Sequence, residues 1–227
     1  KQKSYLNLYA LEIDKAPLEY SLSNISFLKL WTPKVQKIFE SLYKADYFED
    51  QFFKCNVLWG DARQKINIIP SSIKFDLIYL DGFSPQKCPQ LWTIEFLSKV
   101  IEKLNSQGYF ITYSSSAAVR KTLRNLGLEI FNIKPSFNYK TFWSQGTVAM
   151  PKFDKNKLKP NFNFEKLSIM EEEHLLTKAS IPYRDQELNS SKDDIINKRL
   201  NEQLLSNLIS TNEWRKKWGM TKSSLKS

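Results

Sequence analysis

The sequence has few of the residues that build covalent or metal frameworks. Its 227 residues include two cysteines and one histidine. Cys55 and Cys88 stand far apart without a Cys-x-x-Cys spacing, so neither a disulfide framework nor a zinc site is signalled and no metal is expected. Such cysteine usage fits a reducing cytoplasm. The histidine, His174, lies in an acidic run with no neighbouring ligand set and is expected at the surface. No apolar run approaches the roughly 20 residues needed to span a bilayer, and no signal-peptide pattern opens the chain. A membrane partner is therefore not expected. Internal repeats are absent, and nothing signals an oligomer, which leaves a monomer as the default. The first residue is Lys1 and not a methionine, so the sequence is expected to be part of a longer chain.

What is present is basic and moderately apolar. Lys and Arg outnumber Asp and Glu by 34 to 24, a net charge of +10, and 41% of residues are hydrophobic. That length and composition bury one substantial core with an appendage rather than two large domains. A calculated pI of 9.4 suits polyanionic partners, with nucleic acid first among them. A merely soluble basic surface is the plainer alternative.

Hydrophobic patterning gives the order of elements. Residues 5–13 read as a buried strand ending on Asp14, with Pro17 close behind. Residues 18–43 have helical spacing interrupted at Trp31-Thr32-Pro33, which predicts two helices, the second capped by Thr32 with Pro33 in its first turn. Residues 54–59 form a second strand running into Gly60-Asp61-Ala62-Arg63, and 75–80 a third running into Asp81-Gly82. Leu91, Ile94, Leu97, Val100, Ile101 and Leu104 line one face of a helix that stops at Ser106-Gln107-Gly108. A strand at 109–113, a helix at 117–126 ended by Gly127, and strands at 128–133 and 146–150 complete the series. Alternating strands and helices imply an α/β fold with a largely parallel sheet, and the last two strands suggest an antiparallel edge hairpin. That ending belongs to the methyltransferase variant of the Rossmann-like architecture. The expected division is a catalytic domain over 1–150, then a basic linker and a polar, mostly helical extension over 151–227, either a solvated appendage or an RNA-contacting arm.

Ligands of open α/β sheets bind at the carboxyl ends of the strands, which singles out three acids. Asp14 can accept hydrogen bonds from ribose hydroxyls, or simply cap a turn. Asp61 can accept from an exocyclic adenine amine, with Gly60 allowing close backbone approach, and can cap the next turn as well. Asp81 stands beside Gly82, Phe83 and Pro85, where an aromatic ring can stack a base while the acid reaches a reacting amine.

From Asp81 to Trp92 the sequence reads Asp-Gly-Phe-Ser-Pro-Gln-Lys-Cys-Pro-Gln-Leu-Trp and resembles the signature of the MnmC-type methyltransferase domain, which makes 5-methylaminomethyluridine at the tRNA wobble position. Ile13-Asp14-Lys15-Ala16-Pro17-Leu18 is similar to that family's second-strand end, and Trp59-Gly60-Asp61-Ala62 to its third. The stretch from Thr112 to Leu123 is similar to a family segment, Thr-x-Ser/Thr-x-Ala-x-x-Val-Arg-x-x-Leu. The resemblance covers residues 5–150. It implies S-adenosylmethionine as cofactor, held by Asp14, Gly60, Asp61, Ala62 and Asp81, and tRNA as partner. It also implies Asp81 as the catalytic acid, with Gly82, Phe83, Pro85, Lys87, Tyr113 and Lys140 toward the substrate. Arg120 and Lys121 are further candidates for phosphate contacts, or ordinary solvated cations.

Three departures accompany the resemblance. The family's opening strand and Gly-x-Gly-x-Gly loop do not fit in the four residues before Tyr5, and are expected upstream. Its basic pair near the last hairpin stands here as Lys140-Thr141. The flavin-dependent oxidase domain of two-domain members does not follow, so a stand-alone methyltransferase is expected. Two alternatives stay open at this point: a polyamine aminopropyltransferase on the same scaffold, and a non-catalytic RNA-binding module.

Overall fold

The computed structural model describes residues 4–133, 146–152 and 164–220. The chain divides into two compact units, residues 1–70 and 71–227.

In unit 1, β1 (Leu6–Glu12) pairs in parallel with β3 (Phe53–Trp59), from Leu6 opposite Phe53 to Glu12 opposite Trp59. A short β2 (Tyr47–Glu49), which the hydrophobic pattern does not predict, runs antiparallel on the other side of β3. Between β1 and β2 lie α1 (Ala16–Ser23), α2 (Ile25–Leu28) and α3 (Pro33–Ala45), three helices where two are expected. The extra break is chemical: the Asn24 side chain accepts the Phe27 amide at 3.1 Å and starts a new turn. Pro33 occupies the first turn of α3, although the Thr32 hydroxyl makes no capping bond. Phe27, Trp31 and Phe39 form an aromatic cluster, with Trp31 edge-on to Phe39 at 5.5 Å. After β3, α4 (Ala62–Lys65) runs into a 3-10 turn, Ile66–Ile68.

Unit 2 holds a five-stranded sheet in the order β4-β5-β7-β6-β8. β4 (Phe75–Leu80) is parallel to β5 (Leu104–Thr112), and β7 (Thr147–Pro151) is antiparallel to both its neighbours, β5 and β6 (Leu128–Ile133). The antiparallel pair is present, with β8 (Phe164–Lys166) added outside it against β6. The helix α5 (Ile94–Glu102) starts at Thr93, whose hydroxyl accepts the Phe96 amide, and it buries Phe96, Leu97 and Val100. Leu104 belongs to β5 and not to this helix. An apolar residue at that position is buried in either element, so periodicity cannot separate them; Asn105 settles it by donating to Asp76 Oδ1 at 2.9 Å, where the β4–β5 register slips.

The helix α6 (Ala117–Asn125) buries Val119, Leu123 and, unexpectedly, Arg120. Arg120 Nε donates to Thr147 Oγ1, Nη1 to Glu171 Oε1 at 2.9 Å and Nη2 to Asn132 Oδ1 at 2.7 Å. A fully enclosed guanidinium with those partners cannot contact a phosphate, which corrects that candidate role. Glu171 belongs to α7 (Ile169–His174), whose Ser168–Glu171 capping box fixes its start. The helix α8 (Lys192–Leu205) buries Ile195, and α9 (Thr211–Lys217) buries Trp214. His174, expected to be solvated, is half-buried instead: its ring stacks on Trp214 at 4.2 Å. Burial first, then the charges of Arg120 and Arg215, lowers its pKa from 6.5 to about 4. No helix among the described residues is long and apolar enough to cross a membrane.

Candidate active site

Each unit collects its own functional side chains at the carboxyl ends of its parallel strands. In unit 1, Asp14 follows β1 and is exposed, its Oδ1 accepting the Ala16 amide at 2.9 Å. Gly60 follows β3 with φ +119°, a conformation that costs glycine little, and its amide donates to the Glu12 carbonyl at 2.8 Å, tying the two strand ends together. Asp61 caps α4 through the Arg63 amide, and Ala62 is the first residue of that helix. The Asp61 carboxylate is also engaged by the Arg63 guanidinium, with Nη2 to Oδ2 at 2.6 Å. Nearly buried Arg63 thus fixes the acid's direction, a partner that the sequence pattern does not reveal.

In unit 2, Asp81 is exposed at the end of β4, and the turn after it is closed by amides of Lys87 and Cys88 donating to the Ser84 carbonyl. Phe83 is 75% exposed, an unusual state for a phenylalanine on a well-formed turn. Tyr113, at the end of β5, donates its hydroxyl to the Gly82 carbonyl at 2.8 Å. Partial burial, with the charges of Asp81 and Cys88, raises the Tyr113 phenol above its ordinary pKa. Asp81, Gly82, Phe83 and Tyr113 therefore come together. Lys87 is exposed on the same turn. Pro85 is buried, so its ring anchors the turn from inside and is not available for direct substrate contact. Lys140 lies outside the described residues. Sequence reasoning missed Trp92 as a site residue, although it closes the motif: fully buried, it donates Nε1 to the Phe83 carbonyl at 2.8 Å. Among the described residues no group of three or more His, Cys, Asp or Glu side chains is placed to hold a metal ion.

Acids at the carboxyl ends of parallel strands beside a positive-φ glycine mark the ligand-binding edge of an α/β protein. Residues 26–148 match the family described as S-adenosyl-L-methionine-dependent methyltransferase. The chain belongs to that family, and its cofactor is S-adenosyl-L-methionine. It is 32% identical over 158 residues to an uncharacterised protein of Methanocaldococcus jannaschii, covering 69% of this chain and 39% of that one. It is also similar to the tRNA 5-methylaminomethyl-2-thiouridine biosynthesis bifunctional protein MnmC of Campylobacter hominis, 29% identical over 141 residues, covering 59% of this chain and 20% of that protein. The crystal structure of MnmC2 from Aquifex aeolicus superposes with a TM-score of 0.61 at 26% identity, covering 89% of this chain and 69% of that one. The chain spans 39% of the Methanocaldococcus jannaschii protein and 20% of the Campylobacter hominis one, well under half the length of either. Of the readings weighed from the sequence, the comparisons support the methyltransferase.

Proposed function

We propose that the protein carrying this chain transfers a methyl group from S-adenosylmethionine to the aminomethyl nitrogen of 5-aminomethyl(-2-thio)uridine at the wobble position of tRNA, in the cytoplasm. The observation that carries this reading is the Asp81 turn, where an exposed carboxylate stands two residues from an exposed aromatic ring on a hydrogen-bonded frame. Relatives named for tRNA 5-methylaminomethyl-2-thiouridine biosynthesis support the substrate class.

The donor set of unit 1 fits the nucleoside part of the cofactor. Asp14 is exposed, with one oxygen on the Ala16 amide and the other open to ribose hydroxyls. Asp61 is aimed by Arg63 and is the acceptor for the adenine amine, while Gly60 and Ala62 let backbone approach the ring. When bound, S-adenosylmethionine supplies a methyl group on a sulfonium, open to direct displacement by an amine. The chain's own residues supply the rest. An alkylamine is mostly protonated at neutral pH, and a protonated nitrogen has no lone pair. Asp81 accepts or relays that proton and orients the nitrogen. A lone carboxylate is a weak base, so most of the rate comes from holding the reactants in line. Phe83 and Tyr113 flank the uridine with Gly82 giving it room, Lys87 and Lys140 meet phosphates, and Pro85 keeps the turn rigid. Residues 1–150 form the catalytic part, and 151–227 an extension to it.

Labelled-methyl incorporation, using the protein at its natural length, tests the reading with two tRNA preparations, one bearing 5-aminomethyluridine and one lacking it. Labelling of the first alone is expected. Equal labelling of both would refute the specificity.

A further inference from the structure

The two carbonyls that follow Asp81 are both taken by side chains. Tyr113 donates to the Gly82 carbonyl and Trp92 to the Phe83 carbonyl, each at 2.8 Å. The donors also touch each other: the Trp92 and Tyr113 rings meet edge-on, centroids 6.3 Å apart at 89°. Leu91 closes the remaining side, its Cδ1 lying 2.7 Å from where a Cβ on Gly82 would stand. With its carbonyl held inside, Phe83 keeps its ring in solvent.

Trp92 is itself braced from behind by a segment far away in sequence. Its neighbour Thr93 pairs as an isolated bridge with Tyr183, and the Ile94 amide donates to the Tyr183 carbonyl at 3.0 Å. The Asp185 amide donates to Glu95 Oε2 at 2.8 Å. Arg199 of α8 lies over the Tyr183 ring at 4.4 Å and donates to the Ile181 carbonyl at 2.7 Å. A run of contacts therefore leads from α8 through Tyr183 to Thr93 and Ile94, and along the backbone to Trp92 and the turn beside Asp81.

We infer that Trp92 is a positioning residue for the substrate side of the site: it touches no reactant, and it sets where Phe83 and Asp81 stand by holding the Phe83 carbonyl and backing Tyr113. This rests on the reading of the Asp81 turn as the substrate site. It predicts a division of labour, because the clamp holds the turn after β4, while Asp14 and Asp61 follow strands of unit 1.

The test is Trp92→Phe, which keeps a ring in the buried slot and removes the N–H. Hydrogen exchange of amides in residues 81–88, measured on the protein without cofactor or RNA, is expected to rise about ten-fold while α5 and β5 keep their protection. With substrates, kcat/KM for tRNA is expected to fall about 10- to 100-fold, the scale of a small misplacement of reacting groups, while KM for S-adenosylmethionine changes far less, because Asp14 and Asp61 are not on the displaced turn. Unchanged exchange at 81–88, or an equal rise through α5 and β5, overturns the proposal, as does an equal change in both KM values. Should Trp92→Phe fail to fold, Tyr113→Phe removes the other bond with the ring in place and is read by the same exchange experiment. The exchange result does not depend on the substrate. If the wild-type protein fails to methylate tRNA, the functional reading falls while the clamp is still decided.

Discussion

Unit 1 and unit 2 present the same kind of edge, acids following parallel strands, on very different interiors. Among the described residues of unit 1 the buried apolar side chains are Cys55, Val57, Ile66 and Ile69, while Leu6, Leu8 and Ile13 on or just after β1 stay exposed. Among the described residues β1 has a strand partner on one side only. Its ion pairs are partly solvated, from Lys15–Asp46 with side chains 35% and 50% exposed to Arg63–Asp61 with 10% and 36%. In unit 2 Trp92, Phe96, Leu97, Phe110, Val119 and Leu123 are fully enclosed, and Arg120–Glu171 is an ion pair with side chains 2% and 3% exposed. The contrast shows that the Asp81 turn stands on a densely filled interior, whereas Asp14 and Asp61 stand on a unit with few buried apolar side chains among the described residues.

The largest effect that tests this contrast is in the buried pair. Glu171→Ala leaves Arg120 charged and enclosed without its carboxylate, and is expected to destabilise unit 2 by about 3–5 kcal/mol in denaturant unfolding. A loss below about 1 kcal/mol would mean that the interior of unit 2 is looser than its geometry.

Next comes a pH effect confined to unit 2. The folded pKa of His174, about 4, lies below its ordinary 6.5, so the folded state binds fewer protons between those values. The His174 contribution is complete above pH 6.5 and is lost as the pH falls toward 4, on the order of 3 kcal/mol at most. Glu171 acts in a separate window. Burial would raise its carboxyl, but bonds from the Ser168 amide, Arg120, Asn132 and the Ser168 hydroxyl outweigh burial and hold its pKa below the usual 4.5. Its contribution is therefore lost only as the pH falls below about 4.5. Unfolding free energies between pH 7 and 4 should slope downward in the wild type and flatten in His174→Gln; an unchanged slope would show that His174 is not the group responsible. The smallest effect belongs to unit 1. Lys15→Ala removes a half-exposed ion pair and cation–π contacts to Tyr43 and Trp59, and is expected to cost about 1 kcal/mol or less. A cost as large as that of Glu171→Ala would erase the distinction between the units.

The acids that end strands were legible because an apolar run closing on Asp and Gly has one common meaning in an α/β chain, and β1, β3 and β4 end where Asp14, Asp61 and Asp81 require. The Asp81 turn was legible in composition, though not in its division between exposed Phe83 and buried Pro85, since sequence does not show which way a turn faces. What stayed hidden depends on contacts distant in sequence. The enclosure of Arg120 requires Glu171, 51 positions away, and the role of Trp92 requires two backbone carbonyls whose direction only the folded turn sets. His174 reads as a polar surface residue until Trp214 is stacked on it. The short strands β2 and β8 carry too few residues for any period to register.

The central claim is that Asp81 acts on the substrate amine from a turn whose shape does not depend on it. Single-turnover methyl transfer to tRNA bearing 5-aminomethyluridine, at saturating S-adenosylmethionine, tests it most directly when wild type is compared with Asp81→Ala. Because Asp81 is exposed, the variant should keep the wild-type unfolding transition. Its transfer rate should fall about 10²- to 10⁴-fold, the range of a lost general acid–base group. A folded variant that transfers methyl at the wild-type rate would contradict the account.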